Sequence, residues 1–359
     1  MRALQLYAGP KALATLAREG LAPRDVHTIA AAAGGPKGLI LGPLDRFVFG
    51  EWLAASAHPV DLVGASIGAW RMSTACLDNP VKAFERLEHD YIHQHYASTA
   101  HGKRPAADSV SETFGRTLDA FYQGRVHEIL QHPRYRLHIL TSRGRHLLHT
   151  ENSWRTPVGY LGAYLSNLLA RKAMGAWLER VVFSNPAQSP LPFDSRDYRS
   201  RQVALTQANF KDALQASCSI PFVLRAVHNI AGAHAGAYWD GGITDYHLHL
   251  NYAAARPQGI VLYPHFQRQV VPGWLDKSLK WRHGATPFLD TLLLLAPRPE
   301  WVASLPDAKL PDRTDFTRYG NDLQARVKAW STATAASVQL ADEFADWLRR
   351  PDMDQVLPL

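Results

Sequence analysis

A chain of 359 residues with 46% hydrophobic content buries a large core and is not a disordered polymer. Its net charge of +7 comes from basic residues scattered singly among acids and aromatics, with no Lys/Arg block and no recognisable nucleic-acid module, so nucleic-acid binding ranks last among the functions considered. The two cysteines, Cys76 and Cys218, lie far apart without metal-ligand spacing, which sets aside a disulfide framework and a Cys-rich zinc site and fits a reducing compartment.

The chain opens with MRALQLYA, read as a short strand, and continues from about Pro10 as a helix, since proline suits a first helical turn. Gly9, Pro10 and Lys11 interrupt the apolar residues there, so no signal peptide is expected. The longest apolar run, residues 292–296, is too short to span a bilayer. The expectation is a cytoplasmic chain that touches a membrane at most peripherally.

Residues 26–33 are small and β-branched and lead into Gly34-Gly35-Pro36-Lys37-Gly38, after which residues 39–55 are amphipathic. This pattern predicts strand, glycine-rich loop and helix. Such a loop aims backbone N–H groups at an anion, helped by the helix dipole and by the cationic Lys37. It lacks the four-residue gap and the Ser/Thr of a P-loop, and it lacks the G-x-G-x-x-G spacing of a dinucleotide fold. In residues 59–75, Val60, Leu62 and Val63 form an apolar run that stops at Gly64-Ala65-Ser66-Ile67-Gly68, before a helix-tolerant stretch. A serine on such a strand–turn–helix has its hydroxyl pushed out of the sheet at a helix N-terminus, the geometry of a nucleophile elbow. One βα unit separates loop and elbow, so a right-handed crossover sets them side by side at the carboxyl ends of adjacent strands. There the loop serves Ser66 as an oxyanion hole, a device commonly worth a few kcal/mol of barrier.

Residues 79–131 read as polar helix, with Phe84, Leu87, Tyr91 and Ile92 at helical intervals and a loop or flexible insertion at 97–108. His89, His93 and His95 have no H-E-x-x-H frame and read as surface residues. Core strands are expected at 136–142, 180–184 and 202–206, with a helix over about 160–179 and another over 210–220 that Pro221 ends. Cys218 reads as a small buried hydrophobe rather than a nucleophile. A small-residue hairpin, AGAHAGAYWDGGITDY, follows residues 223–230 and holds Asp240-Gly241-Gly242. Alone, Asp-Gly-Gly is a turn; beside a nucleophile and an anion-binding loop, Asp240 is the general base that is otherwise missing. Residues 259–263 read as the last core strand and 322–348 as a closing helix. Residues 270–301 read as amphipathic helix packed on the body, with an interfacial lipid-facing surface as the sharper alternative. No repeat or interdomain linker interrupts the chain. It is read as one catalytic domain over 1–359, with a motif-bearing core at about 26–265 and a helical extension at about 270–359.

Four motifs now stand in a fixed order: Gly34-Gly35-Pro36-Lys37-Gly38, Gly64-Ala65-Ser66-Ile67-Gly68, the A-x-x-A-S-x-S-I-P-F pattern of residues 213–222, and Asp240-Gly241-Gly242. In this order the sequence resembles the patatin-like phospholipases, over roughly residues 26–265. The resemblance implies an α/β fold, a three-layer α/β/α sandwich with a mostly parallel central sheet. It implies a Ser–Asp dyad, an acyl-enzyme intermediate, phospholipids or other fatty-acyl esters as substrates, and no metal or other cofactor. Carried over by residue, Ser66 is the nucleophile, Asp240 its base, and Gly34, Gly35, Lys37 and Gly38 the oxyanion loop. The sequence departs from the family pattern at Ala33, where a first glycine is usual, at Lys37, where arginine is more common, and after Gly242, where ITDYHLHL has no usual counterpart. Pro36 has no N–H to donate.

Two other functions remain open at this point. An α/β-hydrolase with a Ser-His-Asp triad would recruit His247 or His249, although the elbow comes early in the chain and His247 follows Asp240 closely. A non-catalytic lipid-binding or protein-binding member of the fold is the second, against which the intact Ser66 and Asp240 argue.

Overall fold

The computed structural model describes residues 1–95, 106–186 and 189–359. Its strands are β1 (Leu4–Ala8), β2 (Val26–Ala31), β3 (Val60–Ala65), β4 (Tyr135–Gly144), β5 (Leu178–Asn185), β6 (Ser200–Ala204), β7 (Val227–His228), β8 (Ala237–Asp240), β9 (Ile260–Pro264), β10 (Leu292–Pro297) and β11 (Val356–Pro358). They form one sheet in the order β11-β1-β10-β9-β2-β3-β4-β5-β6, with β8 paired to β4 and β7 to β8. From β10 to β4 every neighbouring pair is parallel, while β1 is antiparallel to β10 and β5 antiparallel to β4. Parallel strands need crossover segments that cover the sheet faces, so central strands lose contact with water on both sides. That is why β10 is apolar without alternation, why β3 is apolar but for Asp61, and why both are buried at every position. Helices flank the mostly parallel sheet, giving the α/β/α layering. Helices Leu323–Ala336 and Val338–Arg349 close over Pro80–His93 and Gly42–Phe47 respectively.

Several expected elements change in the fold. The strand at 260–264 is not the last in the core, because the leucine run at 292–297 is a buried strand between β1 and β9. Its continuous apolarity, too short for a bilayer, is the signature of a two-sided buried strand. Residues 270–301 contain no long amphipathic helix but the 3₁₀ turns Trp274–Asp276, Lys280–Arg282 and Pro287–Leu289. Gly273, Gly284 and Pro287 break the helical pattern, and the buried Asp276 pins the segment by accepting from Asn167, Arg171 and Arg282. Residues 270–359 therefore supply β10 and β11 as well as helices.

The helix expected over 160–179 runs over Arg155–Leu169, and β5 begins at Leu178. Tertiary pairing extends that strand: Glu179 lies opposite Arg143 in the ladder and their side chains meet at 2.9 Å. The segment after the glycine-rich loop winds as 3₁₀ helix Gly35–Leu41, α-helix Gly42–Phe47 and a π turn at Val48–Trp52, with Pro43 denying its N–H to a regular ladder. The closing helix divides at Ser337 into two. Of the insertion expected at 97–108, residues 97–105 lie outside the described residues and Ala107 already begins the helix Ala107–Tyr122.

Candidate active site

The site follows from how β3 and β8 share one edge of β4. β3 pairs with β4 as far as Ala65, which faces Leu140. At the next residue of β4, Thr141 faces Asp240 of β8, which runs in the opposite direction. Two strands thus end head to head along one edge, and the residues at their tips, Ser66 and Asp240, meet. The Ser66 hydroxyl donates to Asp240 Oδ2 at 2.7 Å, and the Gly242 amide donates to Oδ1 at 2.7 Å. Both side chains are almost enclosed, with Ser66 3% and Asp240 5% exposed.

Ser66 sits at φ 56°, ψ −128°, a backbone state that costs a non-glycine residue on the order of 1–3 kcal/mol and survives only where its surroundings enforce it. The enforcement comes from close approach on both sides. A Cβ on Gly64 would lie 2.5 Å from Ala69 Cα, and one on Gly68 would lie 1.9 Å from the Ala31 carbonyl oxygen. Ser217 adds a tether: its hydroxyl accepts from the Ser66 amide at 3.0 Å and donates to the Leu140 carbonyl at 2.7 Å. The same small-residue segment holds the other partner, because the Ser219 carbonyl accepts from the Asp240 amide at 2.9 Å. Behind the elbow, Arg71 grips Asp45 through two hydrogen bonds of 2.6 and 2.7 Å, a bidentate buried pair that locks helix Ile67–Ala75 to helix Gly42–Phe47.

The glycine-rich loop lies against both parts. Gly38 backs onto Ile67, the residue after Ser66, with its Cβ position 3.1 Å from the isoleucine side chain. A Cβ on Gly242 would be 2.6 Å from that of Ala33, which puts the start of the loop beside the Asp240 turn. The Ala33 amide is spent on the Tyr246 carbonyl. Gly34 caps the 3₁₀ helix that Gly35 begins, and the first amides of a helix have no intrahelical acceptor. Among the described residues no hydrogen bond is made by the Gly34 or Gly35 amide. Lys37 and Gly38 lie inside the helix, and the Lys37 ammonium rests 5.3 Å from the centre of the Phe266 ring.

Burial pushes the Asp240 carboxyl above the usual carboxylate range, and the Arg313 guanidinium, the Ser66 hydroxyl and the Gly242 amide pull it partly back. A desolvated carboxylate is a stronger base than one in water, which suits proton abstraction from a hydroxyl. Lys37, Lys277 and Arg313 together make the surroundings cationic. Arg313 has no motif to announce it; it arrives from 73 residues beyond Asp240 and lies against Gly35, whose Cβ position is 3.1 Å from the guanidinium Nε. Ser217 was visible in the sequence only as one of several small residues. The tether it makes depends on a long-range contact.

His247 and His249 do not join Ser66. His247 Nδ1 meets the Gln269 carbonyl and the Val271 amide, and its buried Nε2 has no partner among the described residues; His249 Nε2 meets the Thr286 hydroxyl. His89, His93 and His95 are exposed, and among the described residues no group of three or more His, Cys, Asp or Glu side chains is placed to hold a metal ion. Cys218 is half-buried and its thiol is pushed well up by burial. Two surface clefts, around Glu343 and Trp347 and around Asp108 and Lys211, include neither Ser66 nor Asp240.

A mostly parallel sheet flanked by helices, with a serine on a strained strand-to-helix turn, defines an α/β protein of the acyl-hydrolase type. The family model of the patatin-like phospholipases matches residues 32–247, more than half of the 359-residue chain, and the chain belongs to that family. Membership carries lipolytic acyl-hydrolase activity on lipid esters. Among curated proteins, none matches the chain. Among the described residues no helix is long and apolar enough to cross a membrane.

Proposed function

We propose that the protein hydrolyses phospholipids or other fatty-acyl esters through a Ser66–Asp240 dyad and an acyl-enzyme. The observation that carries this reading is the 2.7 Å hydrogen bond from Ser66 Oγ to Asp240 Oδ2 between two nearly buried side chains. As the ester carbonyl approaches, Asp240 takes the hydroxyl proton and Ser66 Oγ bonds to the carbonyl carbon. The unpaired amides of Gly34 and Gly35 support a role in holding the oxyanion, with Lys37 and Gly38 fixing the loop that presents them. The proton on Asp240 passes to the departing alcohol. Water then attacks the acyl-serine with Asp240 again as base, releasing the fatty acid and restoring the hydroxyl. The Gly242 amide holds the second carboxylate oxygen, so the reacting one stays aimed at Ser66.

A triad reading finds less support, since both candidate histidines have their bonds elsewhere. The test is a panel of p-nitrophenyl esters and phospholipids assayed with wild type, Ser66→Ala and Asp240→Asn. Both variants are expected to fold and to lose turnover by ~10³-fold or more. Wild-type rates in either would remove that residue from the mechanism.

A further inference from the structure

Helix Arg155–Leu169 is packed the wrong way round for a helix stabilised by its own apolar stripe. The residues it buries are Thr156, Gly159, Tyr160, Ala163 and Asn167. Its large aliphatics, with the preceding Trp154, point outward: Trp154, Val158, Leu161, Leu165, Leu168 and Leu169 are between 37% and 88% exposed. Their spacing of three and four residues puts them on a single face. A helix of a water-bathed protein normally shows the reverse arrangement, and a contiguous exposed apolar face of this kind marks an interaction surface.

Further exposed aromatics lie near this helix. Arg282 donates to the Asn167 side chain and to the Leu168 carbonyl, which brings Trp281, 73% exposed, to the end of the stripe. Near the other end, Tyr160 packs edge-on against Phe222 at 5.9 Å and against Trp239 at 6.1 Å. Phe222 is 61% exposed and held at φ 67°, a backbone state rarely adopted by a bulky residue. Trp239 immediately precedes Asp240. A short chain of aromatic contacts through the buried Tyr160 therefore joins the inner side of this helix to the exposed Phe222 and to the strand that carries the proposed base.

We propose that this face, from Trp154 to Leu169 with Phe222 and Trp281, seats the protein on an anionic lipid surface. The proposal rests on the lipid-ester reading above and names where the substrate surface docks. Charge selects the occupant. No Asp or Glu occurs from residue 152 to 178, and the exposed cations Arg155, Lys172 and Lys280 border the stripe. A second copy docked face to face would set these like charges against one another, whereas anionic head groups meet them with opposite charge while the acyl region takes the aliphatics and the tryptophan. Because the stripe makes no part of the core, polar replacements there leave folding intact.

The experiment is co-sedimentation with vesicles of phosphatidylcholine containing phosphatidylglycerol, using wild type, Leu161→Gln/Leu165→Gln and Ser66→Ala. Wild type and Ser66→Ala are expected to bind alike. The double variant is expected to bind about tenfold or more weakly and to lose vesicle hydrolysis in proportion, while keeping wild-type turnover of a soluble short-chain ester. Undiminished vesicle binding by the double variant overturns the proposal. So does sedimentation showing a wild-type dimer that the double variant abolishes without change in vesicle binding. Binding by Ser66→Ala is read without turnover, so failure of the catalytic reading leaves the docking result separately visible.

Discussion

Gly68 gives the sharpest structural test of how the elbow is built. In Gly68→Ala the new methyl group would lie 1.9 Å from the Ala31 carbonyl oxygen, 2.4 Å from its carbon and 2.8 Å from the Ala32 oxygen. All three atoms are main chain of β2 or of the residue that follows it, so no side-chain rotation relieves the clash. Ordinary contact begins near 3.4 Å, and reaching it requires elbow and strand to part by about 1.5 Å. Overpacking on this scale costs ~1–3 kcal/mol of stability. The same shift moves Ser66 relative to the Gly34–Gly35 amides, and misplacement by about 1 Å costs roughly a hundredfold in rate. Urea denaturation and initial rates on a soluble ester measure the two effects. Gly284→Ala, which meets nothing within 4 Å, is the matched control and is expected to be neutral in both assays. A Gly68→Ala protein with wild-type midpoint and turnover number would refute the close approach of elbow and β2.

Three further outcomes follow from side chains around the site. Ser217→Ala removes the tether between the Ser66 amide and the Leu140 carbonyl, and a fall of about tenfold in kcat with little change in KM is expected; unchanged kcat would make Ser217 a packing residue only. Asp45→Asn breaks the buried pair with Arg71 and should lower the free energy of unfolding by ~3–5 kcal/mol in urea titration, and a loss below ~1 kcal/mol would contradict the burial assigned to it. His249 is buried and its imidazole is held down to about 4. Between about 4 and 6.5 the unfolded chain therefore binds a proton that the folded chain refuses, so stability falls as pH falls through that window. His249→Gln should flatten this part of the stability profile and keep neutral-pH ester turnover, and an unchanged profile would count against the shift.

What the sequence made legible were the parts that local chemistry dictates. Gly64 and Gly68 are visible around Ser66 because the turn tolerates nothing larger, and Gly34-Gly35 because a Cβ on Gly34 would lie 2.4 Å from the Phe266 ring and Gly35 sits at φ 58°. Asp240 was legible only through its company, since Asp-Gly-Gly is an ordinary turn until β8 is known to end against β3 along β4. Contacts made over long sequence separations left no local trace: the Ser217 tether, the Arg313 guanidinium over Gly35, and the place of β10 in the sheet. The outward leucines of Arg155–Leu169 show the complementary limit. Their spacing signals a helix, yet only the fold shows that the apolar side faces away from the body.

The central claim is that the Ser66 hydroxyl is an activated nucleophile. Reaction of the full chain with a fluorophosphonate ester, followed by peptide mass mapping, tests it most directly. The account predicts one covalent adduct, on Ser66, formed much more slowly in Asp240→Asn and absent in Ser66→Ala. An adduct on another residue, or labelling of Ser66 at the same rate without the Asp240 carboxylate, would contradict it.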